Sequence, residues 1–215
     1  MRGRDVKRYS HEFADFYIIA TFPSLKIDIE EYPSVKQHLM SFGYDRIKQT
    51  GEAGARKKTS NKWFETQDSI SYWEDFSKQK IVWAETMRIH KDTSIKFPRF
   101  GIDNGGELLT DKTCFFATGQ NIKYIMAILN STLGRYLCSK YVSILDDGGY
   151  LMQKIYLEKI PIPKEIPKVL ELIDELLTKS NCKQIDEIED EIDSIIFAAI
   201  QLSIEEIDFI RLTLQ

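Results

Sequence analysis

Apolar positions along this chain fall into patterns of two periods. Cys114-Phe115-Phe116-Ala117 is a short continuous apolar run, and Phe16 to Phe22 and Lys80 to Ala84 are runs rich in aromatic and β-branched residues. All three read as strands. After Gly119-Gln120 the spacing changes. Ile125, Ile128, Leu129, Leu133, Tyr136 and Leu137 recur at i, i+3, i+4, which predicts one long helix over 121–140. Asn121 stands where its side chain would cap the first turn. Val35, Leu39 and Phe42 give a shorter helix an apolar face, with Pro33 in its first turn and Gly43 at its end.

Turn signals separate these elements. Asp103-Asn104-Gly105-Gly106 lies within Phe100 to Leu109 and predicts a tight hairpin there, and Asp146-Asp147-Gly148-Gly149 repeats the theme. No further ligands follow either Asp pair at calcium-loop spacing, so a metal loop is not indicated. Leu151 to Ile162 reads as another strand, stopped by Pro161 and Pro163. Beyond it the period is helical throughout. Pro167 opens a helix with Leu170, Ile173, Leu176 and Leu177 on one face, and Asn181-Cys182 lies in a break. Ile185, Ile188, Ile192, Ile195 and Ala199 then recur at heptad spacing, and Ser203 with Glu206 forms a capping box for a last short helix, with Leu202 and Ile207 as its staple. The expected fold is α+β: a mixed or antiparallel sheet packed by a long helix, followed by a helical hairpin. The expected division is a body, 1–164, and a tail, 165–215.

Charge sharpens that division. The 215 residues carry a formal net charge of −4. Residues 1–164 hold 25 Lys+Arg against 20 Asp+Glu, a net of +5, and residues 165–215 hold 4 against 13, a net of −9. A mildly basic body suits a polyanionic partner, whereas the acidic tail should face away from phosphates. No apolar run approaches the roughly 18 to 20 residues of a membrane span, and the opening MRGRDVKRYS is charged, unlike a signal peptide. Cys114, Cys138 and Cys182 lack paired spacing, as expected of reduced thiols in a cytoplasmic protein.

Candidate chemistry concentrates in residues 46–63. Arg46, Lys48, Arg56, Lys57, Lys58 and Lys62 are interrupted by one acid, Glu52, and Gly51, Gly54, Thr59, Ser60 and Asn61 give the stretch the composition of a flexible loop. Lys and Arg neutralise phosphates, while Arg and Asn suit the base edges of guanine and adenine. A solvated loop with no partner is the plainer alternative. Arg88, His90 and Lys91, with Lys96, form a second basic connection. Trp63, Phe64, Tyr72, Trp73 and Phe76 suit core packing better than stacking on nucleic acid, since a duplex offers few unstacked bases. The basic start Arg2 to Arg8 reads as an exposed, charged segment. No catalytic set is visible. A glycine-rich cofactor turn and an Asn-Pro-Pro-Tyr motif are missing, Glu85, Glu158 and Lys159 lack a second acid at useful spacing, and His11, His38 and His90 are scattered.

Three segments carry a family likeness: KIVWAE at 80–85, CFFATGQNIKYIMAILNSTLGRYL at 114–137 and IYLEKIPIPK at 155–164. In this order and spacing they resemble the TaqI-like C-terminal specificity domain, the target-recognition part of restriction–modification DNA methyltransferases, including fused enzymes that both cut and methylate. RGRDVKRY at 2–9 resembles the segment that leads in from the catalytic domain, and IEEYPSVKQHL at 29–39 resembles the helix before the variable recognition region. The pattern at 188–210 resembles the ends of many members. The resemblance implies sequence-specific double-stranded DNA as partner, together with an N-terminal methyltransferase domain of the same polypeptide. It implies Arg46, Lys48, Arg56, Lys57, Lys58, Asn61, Lys62, Arg88, His90 and Lys91 as DNA-contact candidates. It implies no cofactor in this chain. S-adenosylmethionine, and magnesium where the parent also cuts, would belong to the parent's other domains. An alternative of another class is a protein-interaction module acting through the helical tail without touching DNA.

Overall fold

The computed structural model describes residues 1–92 and 94–214. The chain divides into two compact units, one formed by Asp15–Trp73 and the other by Met1–Ala14 with Glu74–Gln215.

The smaller unit, residues 15–73, holds two helices, α1 (Pro33–Met40) and α2 (Tyr44–Ile47). Pro33 occupies the first turn of α1, as its sequence predicts. Val35 and Leu39 are half-buried, but Phe42 is exposed and meets the His38 ring edge-on. The expected strand at Phe16 to Phe22 is not formed. Residues 16–22 are irregular, with Phe16 69% and Tyr17 86% exposed. β-propensity describes fit to a pleated, half-buried surface, and among the described residues this unit contains no other strand to supply one. Its buried apolar side chains are Ile29 and Phe64, and polar Thr21, Gln49 and Glu65 are buried beside them.

The larger unit carries the sheets. Strands β1 (Lys80–Ala84), β2 (Thr86–Met87), β3 (Gly101–Asp103) and β4 (Cys114–Thr118) are followed by helices α3 (Ile122–Asn130) and α4 (Thr132–Tyr141). Then come β5 (Ser143–Ile144), β6 (Tyr150–Leu151), α5 (Lys154–Leu157), α6 (Pro167–Leu176), α7 (Cys182–Ala199) and α8 (Ile204–Thr213). Two small antiparallel sheets result, with orders β3-β1-β4 and β2-β6-β5. The α+β class is as expected. Central β1 pairs Trp83 with Phe115 across the ladder, and the Trp83 indole N–H donates to the Met152 carbonyl at 2.7 Å, tying the first sheet to the start of the next segment.

Four local expectations need correction. The 121–140 helix is two helices. Ser131 adopts an extended conformation and its hydroxyl accepts from the Gly134 N–H at 3.1 Å, so it caps a new helix. Asn121 precedes α3 in a left-handed conformation (φ 55°) with no side-chain cap; it supplies a backbone shape that asparagine tolerates. Phe100 to Leu109 is no hairpin, because β3 pairs with β1 and residues 107–109 form no strand. The segment from Leu151 leaves the sheet at once and turns into α5. The Asp146 to Gly149 turn does join a hairpin, between β5 and β6.

The tail is helical as read, with Asn181 capping α7 and a complete Ser203–Glu206 capping box on α8. It shares a core with the body. Val169, Leu172, Ile173, Leu176, Ile188, Ile192, Ile196 and Phe197 are buried in one cluster with Ile81, Trp83, Phe100, Met126 and Ile128. The compact units therefore do not divide at residue 164. Composition changes there, but packing continues across it.

Candidate nucleic-acid interface

Residues 48–62 form a hydrogen-bonded frame with little of the freedom their composition suggests. The Gly51 and Arg56 backbones bond at 2.9 Å, and the Arg56 N–H donates to the Lys48 carbonyl at 3.0 Å. Gly51 and Gly54 take φ values of 75° and 83°, which only glycine adopts without strain. Buried Gln49 organises the frame. Its amide donates to the carbonyls of Lys62 and Glu65 at 3.0 and 2.7 Å, and its oxygen accepts from the Thr59 hydroxyl. A single glutamine among cations gives no pattern for sequence reasoning to find.

The frame sorts the candidate residues of this unit. The Asn61 amide donates to the carbonyls of Thr66 and Gln67 at 2.8 and 3.2 Å, so its donors serve the fold. Lys48 is paired with Glu52 at 2.7 Å and Asp45 at 3.0 Å. These bonds raise the Lys48 pKa, Glu52 contributing most, and lower that of Glu52. The i, i+3 and i, i+4 spacings behind these pairs are legible in the sequence. Arg56 is half-buried and reaches the Trp63 carbonyl at 3.5 Å. The Lys62 ammonium lies 5.5 Å from the centre of the Phe64 ring and 3.4 Å from the Ile27 carbonyl. Arg46, Lys57 and Lys58 are exposed, and among the described residues they form no ion pair.

The remaining candidates lie in the larger unit. Arg88 is exposed and paired with Asp147 of the β5–β6 turn. The Asp147 carboxyl is held below its usual range, first by the Gly149 N–H and then by Arg88. The His90 ring accepts from the Asp92 N–H at 3.0 Å, and Lys91 is exposed. Lys96 turns toward the tail, bonding Asp186 at 2.6 Å and Glu189 at 2.5 Å. Among the aromatic residues, Phe64 and Phe76 are buried, in line with a packing role, while Tyr72 is about half-exposed.

Two cations that composition counts toward the basic body are structural. Lys80 is fully buried, bonded to Asp103 at 2.5 Å and to the Phe76 carbonyl at 2.6 Å. Arg8 is not part of an exposed start. Its side chain is 16% exposed and donates to Glu189 at 2.5 Å, to the Pro98 carbonyl at 2.8 Å and to the Asn130 carbonyl at 2.5 Å. The acidic tail thus spends charge on the body's own cations.

The family model for the TaqI-like C-terminal specificity domain matches residues 1–162, three quarters of the chain and all of its candidate contacts. The chain belongs to the TaqI-like C-terminal specificity domain family. No curated protein matches it. The match ends before α6, so the likeness read at 188–210 lies outside the specificity-domain residues. Within the TaqI-like domain the matched span takes in the whole of the smaller unit, with its Gln49 frame, and the larger unit as far as residue 162. No helix among the described residues is long and apolar enough to cross a membrane.

Proposed function

We propose that this chain reads a short double-stranded DNA sequence on behalf of a restriction–modification DNA methyltransferase. The reading is carried by the specificity-domain match over residues 1–162, which encloses a hydrogen-bonded frame presenting exposed Lys57 and Lys58, with exposed Arg46 in the helix before it. Cations on such a frame fix register through phosphates, while a few polar side chains read base edges. Arg56 and Lys62 flank them, and Arg88, His90 and Lys91 supply a second contact surface. Lys48 and Asn61 shape the frame. Base extrusion and methylation belong to the parent's catalytic domain, which also holds S-adenosylmethionine and, if the parent cuts, magnesium.

The test is an exchange of residues 15–73, one compact unit, for the same unit of a relative with another target, inside the full-length parent. Methylated sites are then mapped by sequencing. Sites that follow the exchanged unit support the reading. An active chimera that keeps its old sites removes this unit as the determinant. One observation favours a second reading, a protein-docking module. Ile204, Phe209 and Leu212 of α8 are 75%, 58% and 68% exposed. Apolar docking would be nearly indifferent to salt, whereas phosphate binding weakens steeply as salt rises.

A further inference from the structure

A cleft of about 770 Å³ lies wholly within the larger unit, between the entry segment and the corner where β1 passes into β2. Its lining brings together side chains far apart in sequence: the cations Arg4, Lys7 and Arg99, with the His90 ring. Val6, Met87 and Ile95 give the lining an apolar part. Among the described residues Arg4, His90 and Arg99 form no ion pair, and Lys7 makes one long exposed contact, 3.3 Å to Glu12.

The walls are fixed before any ligand arrives. Gly3 packs so closely that a Cβ there would lie 2.6 Å from the Thr113 carbonyl oxygen, and its N–H donates to the Thr113 hydroxyl at 2.9 Å. Asp5 is clamped by Arg2, Val6 bridges His11, and the neighbouring Arg8 is anchored in the core. Arg99 is held by the carbonyls of Arg88 and Lys96 at 3.0 and 3.4 Å. Arg99, so held, loses little freedom on binding an anion.

We propose that this cleft takes the sugar–phosphate backbone of one strand of duplex DNA, one phosphate on Arg4 and Lys7, the next on Arg99 and the His90 ring, and the deoxyribose between them against Val6, Met87 and Ile95. The proposal rests on the DNA reading above and adds a site remote in sequence from the Gln49 frame. The volume falls in the range of small-ligand sites. Cations with apolar side chains among them match a backbone of alternating phosphates and deoxyribose rings. Glu85 is the one acid among the described lining residues, set against Arg4, Lys7 and Arg99.

The test uses the full chain and a short labelled duplex of mixed sequence, titrated by fluorescence anisotropy across a range of salt. Arg4→Glu with Lys7→Glu should weaken binding about tenfold at low salt and flatten the slope of log K against log salt by about 1.8, two phosphates' worth. Both side chains reach solvent, and unchanged thermal melting will show that the variant is folded. Lys7 provides a second measurement on the unaltered protein: its amine should be shielded from acetylation when DNA is bound. Full affinity in the double variant, or equal Lys7 acetylation with and without DNA, overturns the cleft while leaving the DNA reading intact. Failure of the unaltered chain to bind DNA at any salt overturns both. Binding of polyglutamate in place of DNA assigns the cleft to a protein partner and overturns the proposal.

Discussion

At the residue scale, the charges that matter most to the fold are ones that composition counts as surface. Burial alone would raise the Asp103 carboxyl, but the Lys80 ammonium and the N–H groups of Leu108 and Glu107 outweigh it and hold its pKa below the usual value of 3.8. A depressed carboxylate contributes stability in full above its unfolded pKa and loses it as pH falls through the folded value. Acid titration of the unaltered protein should therefore lose stability below about pH 3.8, and Asp103→Asn should lose less over that window. At neutral pH Asp103→Ala should cost about 3 kcal/mol by urea unfolding, because it strands a buried ammonium. The cysteines differ in the same way. Burial pushes the Cys114 and Cys138 thiols up to about 12, whereas Cys182 is exposed. A thiol reagent should modify one site in the folded protein and none after Cys182→Ser. That the three cysteines are unpaired was legible in their spacing. The burial of Lys80 and Arg8 was not, since a lysine or arginine looks alike in water and in a core until its partners are known.

At the scale of elements, the central helical stretch shows where periodicity informs and where it misleads. The stripe from Ile125 to Leu137 persists through the break at Ser131, because the two helices bury neighbouring faces in one core. Periodicity reports faces and does not report a chain that stops and restarts between them. The signal lay in Asn130-Ser131-Thr132, three residues that favour caps over helix interiors. Gly134 marks the closeness of the joint: a Cβ there would fall 2.2 Å from the Ile128 carbonyl oxygen. Gly134→Ala should destabilise the fold by about 2 kcal/mol, read from its denaturation midpoint. Ser203→Ala should cost about 1 kcal/mol, the usual worth of a capping side chain. Strands were harder to read, since each needs a partner that its own residues do not name. Lys80–Ala84 found two neighbours, while Phe16–Phe22, with as good a composition, found none in its unit.

For the whole molecule, the useful division is by packing and not by charge. The basic stretch was visible from its lysines and arginines, and the spacing that pairs Lys48 with Asp45 and Glu52 was visible too, but the frame that presents the others depended on Gln49, a residue without a motif. If Lys57 and Lys58 meet phosphates and Lys48 does not, Lys57→Ala with Lys58→Ala should flatten the salt dependence of DNA binding by about 1.8, and Lys48→Ala should leave the slope unchanged while lowering stability. Anisotropy titrations at several salt concentrations, alongside thermal melts, will separate the two effects.

The Arg8 guanidinium joins three stretches of chain, through Pro98, Asn130 and Glu189. For heredity this means that the start of the chain and its far helix cannot drift apart. A crossover between two diverged genes falling between codons 8 and 189 would set one parent's arginine against the other's partner. An exchange bounded by codons 15 and 73 would leave that inheritance whole. On the function proposed above, new target preferences would then be acquired in one step, while the scaffold that carries them changes only by matched substitutions.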